Sequence, residues 1–249
     1  MLVSLNGGRG AADGVAVPLS PPDLVESALA AVAAGAGEVL VHPRTPCGRE
    51  SLSPRVVGPL LEAMRGAGVL VPLSVSAGIG TEPDPAERLE RVRSWTVLPD
   101  RAVVHFAEPG AEALARALLA RGVAVDAVVP LDGEGGAGAE PGPGPLERFL
   151  AWPVRDTARI RLAVELAAAD PALVAGLRWL PPVPLLLFGR GAAAWPVLRL
   201  AARCGAATRT GVGDVLHLPD GRPARTNAQL VAAAREVSAA MGAATAGSR

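Results

Sequence analysis

The feature that most constrains this chain is a regular alternation of short apolar runs with longer segments of helical character. The runs are nearly continuously apolar, as parallel strands covered on both faces are, and there are eight of them: 2–6, 38–42, 70–76, 101–106, 123–129, 148–152, 183–189 and 207–213. The helical patterns mostly begin at serine, threonine or proline and end at glycine; they cover 20–37, 53–68, 109–122, 192–205 and 226–242. This alternation predicts right-handed βαβ units and a parallel sheet.

The number of units decides between the two common parallel folds. Eight strand–helix units in 249 residues match the size of a (β/α)8 TIM barrel, so we predict a single barrel domain over residues 1–249. A doubly wound open sheet is the alternative, but no GxGxxG motif follows a strand to support it. The Gly/Pro-rich stretch 131–145 is predicted to be a flexible loop, and the tail 244–249 is predicted to fray.

The charge balance, aromatic content and cysteines of the chain argue against several classes of partner and location. The formal net charge is zero, which argues against nucleic acid as the main partner, and the aromatic content of 3% argues against base-stacking surfaces. Cys47 and Cys204 form no CxxC pair, which favours a reducing, cytoplasmic location. The sequence shows neither a signal peptide nor an uncharged apolar run of about 18 residues, so we expect no membrane span.

Polar residues at the predicted strand ends are the candidate site, because functional side chains of parallel barrels gather there. Those that come from different strands and are expected to converge on one mouth are Asn6, His42, Ser76, His105 and Asp214. The remaining polar residues assigned to these strand ends are Arg9, Arg44, Glu108, Asp126, Arg190 and Arg209.

Two pairs among these residues suggest chemistry, and each has a plainer interpretation. A neutral His42 can bind a metal or a substrate carbonyl, and Arg44 can pair with a carboxylate; alternatively they are a rim histidine and a surface arginine. Arg209 can hold an acid group while Asp214 acts as a general base; alternatively the two form a structural ion pair. Ser76 precedes a small-residue turn whose N–H groups can bind an oxyanion or phosphate.

Several segments resemble the β-keto acid cleavage enzymes, also called 3-keto-5-aminohexanoate cleavage proteins. They are "LNGGRG", "GAGEVLVHPRTPCGRESL", "SVSAGIGTEPDPAERL", "WTVLPDRAVVHFAEPG" and "TRTGVGDVLHLPDGRPARTNAQLV". The resemblance runs along nearly the whole chain and is vague over 127–182. It implies a (β/α)8 barrel with a catalytic zinc, oligomeric assembly and a place in amino acid catabolism. The implied reaction transfers the acyl part of a β-keto acid to the CoA of acetyl-CoA and releases acetoacetate.

The resemblance breaks at two of the family's three zinc ligands. The family reads H-x-H-x-R after strand two, and here Leu40 replaces the first histidine while His42 and Arg44 are kept. After strand eight the family reads R-x-G-x-E-D, and Gly213 replaces the glutamate. A catalytic zinc needs about three protein ligands, so we expect zinc to be absent, or held by a rebuilt set of His42, His105 and Asp214.

Roles are assigned on this basis. Catalysis is predicted for Asp214, Arg209 and Ser76, substrate binding for Arg44, Asn6 and His105, and metal contact for His42 as the retained ligand. Three functions stay open: β-keto acid cleavage with a rebuilt metal site, a metal-independent enzyme acting on a small carboxylate or acyl-CoA, and an inactive barrel that binds a metabolite or partner. The expected partners are a small carboxylate, a CoA ester and further copies of the chain.

Overall fold

The architecture is a closed barrel of eight parallel strands in sequence order, which confirms the predicted (β/α)8 fold. The structure is a computed structural model that describes residues 1–14, 16–131, 143–153, 156, 158–177 and 183–246. The strands are β1 Leu2–Ser4, β2 Glu38–Val41, β3 Leu73–Ser76, β4 Arg101–His105, β5 Ala124–Pro130, β6 Ile160–Glu165, β7 Leu185–Phe188 and β8 Ala207–Thr210. Most of the predicted loop 131–145, and the end of the predicted frayed tail, lie outside the described residues.

Helices cover the outside of the barrel. They are α1 Pro21–Ala33, α2 Pro54–Gly66, α3 Pro85–Arg93, α4 Ala111–Ala120, α5 Pro145–Ala151, α6 Pro171–Gly176, α7 Ala194–Cys204 and α8 Asn227–Ala246. Many begin at proline, whose fixed φ and missing N–H suit the first turn, and Ser20 caps α1 by accepting the Asp23 N–H. No helix of the described ranges is long and apolar enough to cross a membrane.

The predicted sixth strand was wrong. Residues 148–152 lie in or directly after α5. The rings of Phe149 and Trp152 both pack against Phe106, and the centroid of the Phe106 ring lies 5.4 Å from the centroid of each. The true β6 was missed because its inward side chains are not all apolar. Ile160 and its alternate neighbours pack outward in the main core, whereas Arg161 points inward to Glu38 at 2.8 Å.

The N-terminal end of the barrel interior is closed by an ion network. Arg161 contacts Asp126 at 2.6 Å and Glu38 at 2.8 Å, and Arg101 contacts Asp126 at 2.6 Å. The assignment of Asp126 to the mouth was therefore wrong. Asp126 is only the third residue of a strand that runs on to Pro130, so its side chain lies at the opposite end of the barrel from the mouth.

An apolar layer lies above this network and forms the floor of the mouth. It consists of Leu2, Leu40, Val103, Val128, Ala163, Leu186 and Phe188. Leu40 is 1% exposed and pairs in register with Ser4 and Ser74 of the flanking strands. The interior therefore has a charged base, an apolar centre and a polar mouth, and Leu40 belongs to the centre.

The ion network makes a stability prediction. Asp126→Ala removes one of the two carboxylates that Arg101 and Arg161 share, leaving only Glu38, and breaking a buried pair in this way costs about 3–5 kcal/mol. The matched control is Asp220→Ala, which removes the exposed ion pair with Arg222 and should cost no more than about 1 kcal/mol. Urea unfolding measures the free energy of unfolding of the two variants. Equal decreases would show that the buried network stabilises the fold no more than an exposed ion pair does.

Candidate functional site

A small cavity opens at the C-terminal ends of the strands. The side chains around it come from six strands or the loops after them: Ser4, Leu40, His42, Ser76, Val103, His105, Arg190, Arg209 and Asp214. Its volume is about 20 Å³, which is room for about one water molecule. The structure thus brings together five of the predicted site residues, His42, Ser76, His105, Arg209 and Asp214, whereas Asn6 and Arg44 do not line the cavity.

Arg209 and Asp214 form a bidentate ion pair within the cavity wall. The Arg209 Nε donates to Asp214 Oδ2 at 2.9 Å and its Nη2 donates to Oδ1 at 2.6 Å. Both residues are buried, and the guanidinium lies 3.6 Å from the centre of the Phe188 ring, a cation–π contact. Both carboxylate oxygens of Asp214 are therefore engaged, as the ion-pair interpretation of these residues expected.

His42 is held by a carboxylate that the sequence analysis missed. Its Nδ1 lies 3.1 Å from Glu50 Oε2, and Glu50 also lies 3.6 Å from Arg44. Burial raises the pKa of Glu50, but the hydrogen bond and charge of His42 and the charge of Arg44 outweigh it and bring the pKa below its usual value. With Nδ1 engaged, Nε2 is the ring nitrogen available to a ligand. The sequence signal was a glutamate eight positions after His42 in the same loop.

Arg44 and Asn6 hold the backbone around the mouth. Arg44 donates to the carbonyls of Gly48, Gly7 and Arg9 at 2.7, 3.0 and 2.5 Å, and only its buried Nε lacks a hydrogen-bond partner. The Asn6 amide both donates to and accepts from the His42 backbone, each at 2.9 Å. These contacts fix the end of β2 and leave neither side chain directed at the cavity.

His105 faces the cavity as a neutral ring. Desolvation, reinforced by neighbouring positive charges with Arg190 and Arg209 foremost, lowers the pKa of His105 to about 3. Both arginines are paired with carboxylates, Arg209 with Asp214 and Arg190 with Glu165 at 3.0 Å, so they bring guanidinium donors to the mouth without a net positive charge. His105 can therefore offer a hydrogen bond to a ligand at neutral pH without adding a charge.

Ser76 ends β3 in the cavity wall, and one N–H of the turn after it already donates to a carboxylate. The Ile79 N–H donates to Glu108 at 2.9 Å, so this N–H is not available to an oxyanion as the sequence had suggested. Burial raises the pKa of Glu108, and that rise exceeds the opposing effects of the Ile79 bond and of the Arg88 charge. Gly78 fits beneath it, because a Cβ there would lie 3.2 Å from Glu108 Oε1 and 3.3 Å from His105 Cδ2.

Two of the three positions that correspond to the family's zinc ligands carry residues that hold no metal, Leu40 and Gly213. Leu40 has no donor atom, and Gly213 leaves no room for a side chain, since a Cβ there would lie 2.2 Å from Ser4 Oγ and 2.8 Å from the Gly7 nitrogen. Among the described residues, no cluster of three or more His, Cys, Asp or Glu side chains is arranged to hold a metal. The residues present therefore do not fit the zinc of the family, whose catalytic sites use about three protein ligands.

Asn227 is a second residue that the sequence analysis did not single out. Its amide accepts from the Val212 N–H and donates to the Leu5 carbonyl and to Ser27, at 2.8, 2.8 and 3.0 Å. It thereby ties the loop after β8 to the end of β1 and to α1. The signal for it was its place in the closing motif "TNAQLV", at the start of α8.

Comparisons with known proteins agree with this architecture. The sequence model of the family described as beta-keto acid cleavage enzyme matches residues 2–118 and 164–249. Comparison with curated protein sequences gives no match.

Among solved structures, ObcA is similar in its apo form (TM-score 0.68), with oxaloacetate (0.65) and with a C4-CoA adduct and oxalate (0.62). Each is 14% identical over 91% of this chain. This chain spans 62% of apo ObcA and 64% of the two complexes. At that identity the likeness establishes the barrel fold alone.

The environment of His105 makes a pH prediction. A free histidine binds a proton near pH 6.5, whereas folded His105 does so only at about pH 3. As pH falls through this window the unfolded chain binds the proton first, so the residue lowers stability towards acid. The His105 ring resonances, assigned with His105→Gln, should not titrate between pH 5 and 8 in an NMR series. A midpoint inside that range would contradict the neutral, desolvated ring.

Proposed function

The chain belongs to the β-keto acid cleavage enzyme family, and from this we propose that it acts on a small β-keto acid or related carboxylate at the barrel mouth without the family's zinc. One observation carries the proposal. His42, Ser76, Arg209 and Asp214 still line one cavity, while the position of the lost glutamate is closed by backbone.

A rebuilt metal site is the less favoured reading of the same mouth. Its candidate ligands are His42, His105 and Asp214. His42 keeps Nε2 available, but Asp214 already uses both oxygens on Arg209. Binding zinc through this set would require breaking the buried ion pair, which carries a cost of several kcal/mol.

The His42–Glu50 pair is the group best placed to replace the missing Lewis acid. When the C–C bond of the β-keto acid breaks, the acyl carbon is transferred to the CoA sulfur, and the electron pair of the broken bond remains on the other fragment as an enolate, which takes the acetyl group of acetyl-CoA. Negative charge develops on the enolate oxygen. In the proposed mechanism His42 donates from Nε2 to that oxygen, and Glu50 stabilises the imidazolium through Nδ1–H. Arg190, on the cavity rim, is the guanidinium proposed to hold the substrate carboxylate, because its partner Glu165 lies in a less buried pair than that of Arg209 and Asp214.

The substrate classes follow from the family and from ObcA. ObcA is seen with oxaloacetate and with a C4-CoA adduct and oxalate, and by analogy we assign a small keto acid and a CoA ester to this chain. The reaction proposed is acyl exchange between the two. The cavity of about 20 Å³ holds only the reacting group, so the rest of each substrate lies outside it.

A second candidate is a barrel that binds these ligands without turning them over. The small cavity and the engagement of both Asp214 oxygens favour it. The two candidates differ in a single measurement, which is turnover.

The test is acyl exchange by the purified full chain. A panel of β-keto acids is incubated with acetyl-CoA, and new acyl-CoA and acetoacetate are followed by mass spectrometry. His42→Gln should lower kcat about 100-fold or more, the usual contribution of a general acid or base. The control His217→Gln changes an exposed histidine outside the cavity and should leave the rate unchanged. Thermal stabilisation by the ligands without turnover would favour the binding barrel. If the ligands caused neither turnover nor stabilisation, both candidates would be refuted.

The metal prediction is separate from turnover. Wild-type protein dialysed against zinc and then against buffer should retain far less than one zinc per chain, because Leu40 and Gly213 supply no donor. His42→Ala should leave the metal content unchanged. Elemental analysis of both proteins decides the question. One tightly bound zinc that His42→Ala removes would mean that a substitute ligand set exists.

A further inference from the structure

A polar groove lies directly beside the mouth, between the β2–α2 loop and the β3–α3 loop. Its volume is about 490 Å³, and its walls include Arg49, Glu50, Glu82 and Arg91. Glu50 lines the groove and lies 3.1 Å from His42, which lines the mouth, so the His42–Glu50 pair stands between the two spaces. A ligand whose reacting end enters the mouth can therefore extend into the groove.

The groove carries two guanidinium groups that no carboxylate neutralises. Among the described residues, neither Arg49 nor Arg91 has an acidic side chain within 4.0 Å, and both are exposed. The third arginine of the groove, Arg44, donates to backbone carbonyls and lies against Glu50. Glu82 is the one other carboxylate in the lining. Two free cations thus face one free anion.

We propose that this groove binds the phosphate groups of the CoA ester through Arg49 and Arg91. The inference rests on the proposed function and adds to it the place where the co-substrate is held. Guanidinium groups match phosphate oxygens in geometry and bind them through charge-assisted hydrogen bonds. Thr45 and Thr81, which also line the groove, make its walls polar, as a phosphate site requires.

Size supports the same assignment. The mouth of about 20 Å³ admits little more than a reacting carbonyl, whereas the groove of about 490 Å³ falls in the range of small-molecule sites. The CoA ester is the partner in the proposed reaction that carries phosphates. Glu82 repels such a ligand because both carry negative charge, so removing the charge of Glu82 should strengthen binding.

The experiment compares two esters on the full chain by isothermal titration calorimetry: acetyl-CoA, and acetyl-pantetheine, which has the same thioester arm without phosphate. Arg49→Gln and Arg91→Gln should each weaken acetyl-CoA binding about tenfold, the value of one lost charge-assisted contact. Binding of acetyl-pantetheine should not change. Glu82→Gln should tighten acetyl-CoA binding several-fold. The control Arg93→Gln lies on the same helix but pairs with Glu90 at 2.8 Å, and it should behave as wild type.

The outcomes separate this proposal from the proposed function. Acyl exchange by wild type, with acetyl-CoA bound equally well by the Arg49 and Arg91 variants, overturns the groove and leaves the function standing. Weakening of acetyl-pantetheine to the same extent also overturns it, because the arginines would then be shaping the mouth. Absence of both acetyl-CoA binding and exchange in wild type overturns both proposals.

Discussion

The contact on which the mouth depends is the close approach of Gly7 and Gly213, where the ends of β1 and β8 meet. A Cβ on Gly7, which has φ of +55°, would lie 2.8 Å from the Gly213 Cα, and glycine is the residue that adopts such a conformation without strain. Gly211 fits as tightly, since a Cβ there would lie 2.3 Å from the Ser4 carbonyl. Asn227 bridges the same seam. The backbone itself therefore sets the size of the cavity and fixes Asp214 beside Arg209.

This tight seam changes which groups are available for chemistry. The loop after β8 contributes an ion pair to the mouth, so the hydrogen-bond donors there come from arginines and from histidines. Glu50 then has a larger part than its place in a surface loop suggests. It orients His42, lies against Arg44 and borders the groove, so the β2–α2 loop couples the geometry of the mouth to that of its neighbour.

Much of this could be predicted from the sequence, and the failures have physical causes. Apolar runs and glycine stops located seven of the strands, because outward-facing strand residues and helix ends follow local rules. β6 was missed since Arg161 faces a charged interior, which breaks the apolar run. Asp126 was placed at the wrong end although the predicted run 123–129 matches β5 Ala124–Pro130, because its inward partners Arg101 and Arg161 come from other strands and cannot be inferred from the run. Glu50 and the backbone contacts of Arg44 depend on how a loop folds back, which local pattern does not encode.

The two departures from the family's zinc motif are consistent with each other energetically. A histidine at position 40 would lie in the apolar layer at a site that is 1% exposed, and without a metal its ring nitrogens would be buried unsatisfied, at about 1–3 kcal/mol. A glutamate at position 213 would meet Ser4 and Gly7 and would add a second carboxylate next to Asp214. A histidine at position 40 and a glutamate at position 213 would therefore be tolerated only if both were bound to a metal ion. Leucine at position 40 extends the apolar floor and glycine at position 213 lets the β1–β8 seam close, so both residues suit the mouth without zinc that we propose.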